Sequence, residues 1–298
     1  VGFGPKGLML SLYARGIDCK AGKGECQPFS TFSAWQDSLN SLAAGEIQEA
    51  IGFGDPIKAF SVVVINSSEN LAAQVKTGSF ESTSITQGNK TGIHLIKAFG
   101  PDTSFRTGLE NLIQWDGDSA TSEPISFYAV ASQRIRINDN RSPWFQSLYL
   151  TAGIGNGQYR PIEQIFYSQI NALRQAGCLN NGSFAAGQCS ENSYNRAITK
   201  GSNYGEINPI GSLGLEVYKG INLITEWSGN NLNLGFSWRP FPELGLVITP
   251  MIQSLIQNCE YPGCTFRVPG FDERIPIGDQ ALTQRIKLSI QASLEFKF

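Results

Sequence analysis

The sequence predicts an all-β fold, an antiparallel up-and-down barrel of about twelve strands. Three observations carry that expectation. Segments of alternating polarity recur along the whole chain. The connections between them are short at one end and long at the other. The alternate faces separate into an apolar set and a charged or hydroxylated set.

The alternation is cleanest over residues 286–298, where Ile286, Leu288, Ile290, Ala292, Leu294, Phe296 and Phe298 alternate with Lys287, Ser289, Gln291, Ser293, Glu295 and Lys297. A strand turns successive side chains to opposite faces, so this segment has one wholly apolar side. The same period marks 7–15, where Leu8, Leu10 and Leu12 oppose Met9, Ser11, Tyr13 and Arg15. It marks 125–137 and 231–239 as well, and strands are further expected at 48–54, 57–66, 91–99, 104–115, 143–155, 211–218, 221–228 and 244–252.

If these strands run up and down in chain order, every second connection is short: Asp55-Pro56, Gly100 to Thr103, Asn138 to Ser142, Lys219-Gly220 and Pro240 to Glu243. Gly, Pro, Asn and Asp are the residues tight turns require. The other connections, 16–47, 67–90, 116–124, 156–210 and 253–285, are long, and only Gly229-Asn230 among them is short. Within the long set, 161–177 reads as a helix with Pro161 at its start and Gly177 at its end, and 33–44 as a weaker one. The helix 161–177 is expected to constrict the mouth of the barrel or to close a small satellite core.

All six cysteines fall in long loops as near pairs: Cys19 with Cys26, Cys178 with Cys189, and Cys259 with Cys264. Three local disulfides in an oxidising compartment are expected, against the alternative of free thiols in the cytosol. No C-x-x-C is present and His94 is the sole histidine, so the sequence offers no zinc site.

Composition limits function further. Charged residues make up 16% and the net charge is −2 without a basic block, which excludes a nucleic-acid partner. No run approaches the length and apolarity of a membrane-crossing helix. No linker or repeat divides the chain, so one domain over residues 1–298 is expected. The chain begins at Val1, consistent with a processed N-terminus.

The polar faces carry Arg15, Arg106, Glu110, Arg134, Arg136, Glu216, Glu226, Arg239, Lys287 and Glu295. An Arg or Lys facing lipid at mid-membrane costs about 2–4 kcal/mol. These faces are therefore expected to enclose water, and the apolar faces to meet hydrocarbon. Phe99, Phe105, Trp144, Phe145, Trp238, Phe241, Phe296 and Phe298 near the short turns, with Trp115 and Trp227 at the other end, read as two aromatic belts.

The alternating end of the chain, with Phe296 and Phe298, resembles the C-terminal signal that the barrel-assembly machinery of bacterial outer membranes reads. The stretches GFGDPIKAF (52–60), LTAGIGNGQY (150–159) and ITEWSGNNLNLGFSWRPFPELGLVITP (224–250) resemble uncharacterised barrel-like proteins of cyanobacteria. The resemblance implies a place in the bacterial cell outer membrane, among its lipids, and supplies no activity.

The expected function is a porin-like channel for passive passage of small hydrophilic solutes, with a preference for anions and no cofactor. Arg106, Arg134 and Arg136 are expected to share a level near the short turns, with Glu110 and Glu226 as counter-charges. Arg–Glu pairs bracing a filled lumen are the plainer reading of the same residues. Other readings are a closed barrel serving adhesion or assembly through its loops, a lipid-acting enzyme around His94, and a soluble secreted β protein. A homo-oligomer is compatible with the pattern, though no interface can be read from it.

Overall fold

The computed structural model of the chain describes residues 7–16, 44–71, 89–115, 124–138, 142–177, 179–180, 183–184, 193, 203–257, 265–267, 274–276 and 287–297. All six cysteines, Phe298 and residues 33–43 of the weaker predicted helix lie outside the described residues.

Twelve strands close into one antiparallel barrel. In chain order they are β1 (Gly7–Gly16), β2 (Ala44–Gly54), β3 (Ser61–Leu71), β4 (Lys90–Phe99), β5 (Thr103–Gln114), β6 (Ser126–Arg136) and β7 (Ser147–Gly155), then β10 (Asn208–Tyr218), β11 (Ile221–Trp227), β12 (Asn231–Trp238), β13 (Leu246–Gln257) and β16 (Lys287–Lys297). Outside the barrel, β8 (Leu179–Asn180) pairs with β9 (Ser183–Phe184), and β14 (Thr265–Arg267) with β15 (Arg274–Pro276). Each barrel strand pairs with its neighbours in chain order, and β1 closes the ring on β16, with Leu10 opposite Leu294 and Ser11 opposite Ser293. Closure leaves no strand edge in the barrel exposed. Each of the twelve predicted segments overlaps one barrel strand.

The boundaries differ where local chemistry overrides the polarity pattern. The first short connection is a full loop of residues 55–60, not a two-residue turn. Asp55 Oδ1 accepts the backbone N–H of Ile57 (3.0 Å), and Ala59 N–H returns to the Asp55 carbonyl (2.8 Å). The predicted strand start at 57 therefore moves to Ser61. β7 starts at Ser147 because Phe145 adopts a left-handed φ of 51°, which breaks the extended run begun at 143. Trp144 instead bridges to Tyr218 and packs edge-on against its ring at 4.9 Å. β2 begins at Ala44, so the last residue of the weaker predicted helix is strand. Asn111, at φ 57°, sits where the β4–β5 register shifts, a bulge that no polarity pattern shows. Lys219-Gly220 remains a two-residue turn, and Gly220 takes the φ of +79° that glycine tolerates best.

The 161–177 expectation holds as α1 (Ile162–Gln175), with Pro161 at its N-cap and Gly177 at φ +73° beyond its end. Among the described residues, no helix is long and apolar enough to cross a membrane.

The polarity of the barrel is inverted relative to a water-soluble domain. Ser11, Ser61, Ser104, Ser126, Ser147, Ser289 and His94 are buried, whereas their chain neighbours Leu10, Val62, Phe105, Ile290, Ile93 and Leu95 are exposed. Beside β1 to β4 the interior holds a small apolar cluster of Ala50, Val63 and Ile96, with Met9 and Ile65 packed against it. The cavities described below lie along β5, β6, β7, β10, β11 and β12.

Candidate functional site: the lumen

The lumen is organised by one row of residues across four strands. His94 on β4 lies opposite Gly108 on β5, Gly108 opposite Tyr128 on β6, and Tyr128 opposite Gly155 on β7. Large rings alternate with glycines, and each ring lies over the glycine beside it. A Cβ on Gly108 would stand 2.6 Å from His94 Nδ1 and 2.9 Å from Tyr128 Cε1, and one on Gly155 would stand 2.6 Å from Tyr159 Cδ2. The glycines thus permit His94 Nδ1 and the Tyr128 hydroxyl to meet at 2.5 Å across two strand spacings.

Arg106 Nη2 donates to the same His94 Nδ1 at 2.9 Å, and its guanidinium lies 5.6 Å from the centre of the Tyr128 ring. Guanidinium has no acceptor, so Nδ1 carries a lone pair and the neutral ring holds its proton on Nε2. Tyr128 continues the row by meeting Tyr159 edge-on at 5.8 Å.

Tyr159 belongs to a short 3-10 turn, Gly157–Tyr159, that follows β7 and roofs the lumen at the long-loop end. Asn156 Oδ1 accepts Phe127 N–H (2.8 Å), Gly157 N–H reaches the Tyr204 carbonyl (2.6 Å), and Gln158 N–H reaches Ser126 Oγ (2.9 Å). The Gln158 amide and the Tyr159 hydroxyl both donate to Glu110 Oε2, the latter at 2.7 Å. Burial, with the adjacent Glu110 carboxylate, pushes the Tyr159 phenol well above its ordinary range, so it remains the donor. Arg160, 1% exposed, locks the turn by donating to the Gly157 carbonyl (3.0 Å) and to Ser168 Oγ on α1 (3.1 Å). The side chains over the lumen therefore come from this turn, while α1 braces it from behind.

Beneath the roof lie two adjoining cavities that share Thr151 and Ser212. The upper, about 260 Å³, is bordered by Arg106, Glu110, Tyr128, Tyr159 and Glu226. The lower, about 200 Å³, is bordered by Ser104, Ser132, Arg134, Thr151, Asn222 and Ser237, with Pro101 and Asp102 at its short-turn rim.

The chain matches no family model and no curated protein.

The predicted lumen charges separate into distinct levels. Arg106 does not share a level with Arg134 and Arg136. It stands opposite Val130 and joins His94 and Tyr128, while Arg134 and Arg136 converge on Asp102 in the β4–β5 turn. Arg134 Nη2 meets Asp102 Oδ1 at 2.6 Å and Arg136 Nη2 meets it at 3.1 Å. The Arg134 hydrogen bond, followed by that of Arg136, holds the Asp102 carboxyl below its usual range. Asp102, rather than Glu110 or Glu226, is thus their counter-charge. Glu226 accepts from Asn233 Nδ2 (3.2 Å), and Glu216 accepts Gly220 N–H (3.3 Å).

Arg239 lies beyond the end of β12 and is exposed at the rim rather than inside. Arg15 and Lys287 hold register positions opposite Ser289 and Gln253. Phe296 stands opposite Leu8, at the short-turn end of the β1–β16 seam. Lys97 is on the outer face, donating to the Ile57 carbonyl (3.2 Å) with its ammonium 5.9 Å from the centre of the Phe60 ring. Period two puts His94, not Lys97, inside.

Phe99, Phe105, Trp144, Phe145, Trp238 and Phe241 are exposed near the short turns, and Trp115 at the other end. Trp227 instead borders the upper cavity. Sequence reasoning missed Asp102, Gly108, Gly155 and the Tyr159 roof. The signals were available: glycines inside otherwise regular strands, and an acid in the turn preceding β5.

Proposed function

We propose that the protein is a porin-like channel of a bacterial outer membrane, passing small hydrophilic solutes through the β5–β12 side of its lumen. One observation carries this reading. The barrel buries serines and a histidine while it turns Leu, Ile and Phe outward all around the closed sheet. In water such an outer face is an aggregation surface; in a bilayer it is the expected band, flanked by aromatic residues. The exposed Phe and Trp side chains near the short turns supply one such flank.

The same reading puts the chain beside the cyanobacterial barrel-like proteins that its stretches resemble. It assigns the three cysteine pairs to disulfides in outward loops.

The anion preference expected from the arginines is weakened by Asp102. Arg106 and Arg134 border the cavities together with Asp102, Glu110 and Glu226, and Arg136 pairs with Asp102 beside them. A lumen lined by charges of both signs is only weakly selective between ions. Reconstitution of the full chain in planar bilayers tests the function: discrete conductance steps are expected, and a barrel that inserts but never conducts overturns it.

A second reading is favoured by the roof. With Gln158 and Tyr159 seated on Glu110, the turn covers part of the lumen at its long-loop end, and a barrel stopped there would not conduct. A permanently closed barrel presenting its loops to partners gives the silent bilayer just described.

A further inference from the structure

We propose that the lower cavity is a binding and passage site for small uncharged polyols, a class of which glycerol and erythritol are the simplest members. This rests on the channel reading above and narrows what the channel carries.

The wall sets a row of hydroxyls among apolar surface, a mixture that suits a solute carrying both C–H and O–H groups. Ser104, Ser132, Thr151, Ser212 and Ser237 each offer a hydroxyl that donates and accepts, so a solute hydroxyl finds a partner in many orientations. The Ser132 and Thr151 hydroxyls already hydrogen-bond each other at 2.9 Å, and either can turn to a guest. Asn222 donates through Nδ2 to Ser237 Oγ at 3.1 Å, while its buried Oδ1 has no protein partner among the described residues. A buried acceptor of this kind calls for an O–H donor from outside the protein.

Charge argues in the same direction. Arg134 and Asp102 border the cavity but are bound to each other. An ion entering sheds its hydration and finds the Arg134 guanidinium already engaged by Asp102, whereas a neutral hydroxyl solute exchanges water partners for wall hydroxyls. The volume, about 200 Å³, is several times the roughly 30 Å³ share of a water in the liquid, room for a small polyol rather than a long saccharide. The shared Thr151 and Ser212 continue the hydroxyl lining into the upper cavity.

Uptake of labelled solutes into proteoliposomes carrying the full chain tests this. Glycerol and erythritol are expected to enter at least tenfold faster than lactate and ethanolammonium, which are of similar size but charged. Replacing Ser132 and Thr151 together by valine, with the β spectrum of the reconstituted barrel retained, is expected to slow erythritol several-fold. Asn222→Leu makes the same test from β11, two strands further round the wall, should the double variant fail to fold. Charged solutes entering as fast as erythritol, or erythritol uptake unmoved by a folded wall variant, overturns the polyol inference and leaves the channel standing. Proteoliposomes that admit no solute overturn the channel reading, and the inference falls with it.

Discussion

The imidazole of His94 and the phenol of Tyr128 are joined at 2.5 Å although a whole strand lies between them. The intervening residue is Gly108, and the absence of its side chain is what lets the rings reach over β5. Arg106 caps the pair from the same strand as the glycine.

Gly108→Ala is therefore expected to drive the two rings apart and to destabilise the barrel by about 1–3 kcal/mol, the usual cost of forcing volume into a packed site. Denaturant titration in lipid vesicles, read by tryptophan fluorescence, measures the shift. A midpoint equal to that of the unaltered chain refutes the role assigned to the glycine row.

Two adjacent residues on β10 separate a membrane barrel from a soluble one. Leu213 is 42% exposed on the outer face, and Ser212 borders both cavities. If lipid surrounds the barrel, Leu213→Arg costs about 2–4 kcal/mol of folding free energy in bilayers. Ser212→Arg escapes that lipid penalty and acts mainly by obstructing the lumen. The contrast between the two in vesicle refolding is the readout, and equal tolerance at both positions contradicts a lipid-facing Leu213.

Asp102 holds Arg134 and Arg136 together at the short-turn mouth. Asp102→Asn releases both cations, which is expected to shift permeability several-fold toward chloride. Reversal potentials across a potassium chloride gradient report it. Acid should act in the same sense. The carboxyl lies below its ordinary value of 3.8, so the pairing is intact above that value and is lost only as pH falls through the lowered one. Between pH 5 and 8 the selectivity set by this cluster is expected to stay flat.

At the opposite mouth, Tyr159→Phe removes the hydroxyl that reaches Glu110 while keeping the ring over Gly155. The roof then loses about 1 kcal/mol of attachment. In single-channel records the open fraction is expected to rise several-fold with unit conductance unchanged. An unaltered open fraction places the gate elsewhere.

Much of this architecture was legible residue by residue. Ser11 inside and Leu10 outside, His94 inside between Ile93 and Leu95, the Lys219-Gly220 turn and the helix opened by Pro161 all follow from local rules. A strand has period two, a tight turn needs a residue tolerant of positive φ, and a helix start tolerates proline. The misplaced strand starts at 57 and 143 were local as well, but they depended on the Asp55 hydrogen bonds and on the left-handed φ of Phe145, which polarity does not record.

Alternation along the chain settled how many strands form and which face of each is greasy, because that information is carried within a few consecutive residues. Who meets whom around the ring was settled only on closure. Arg134 found Asp102 rather than Glu226, and Tyr159 came over the mouth to Glu110, through registers and a loop path that join residues tens of positions apart. Such pairings depend on strand offset and on where a glycine leaves room, and no stretch of the chain read alone contains either.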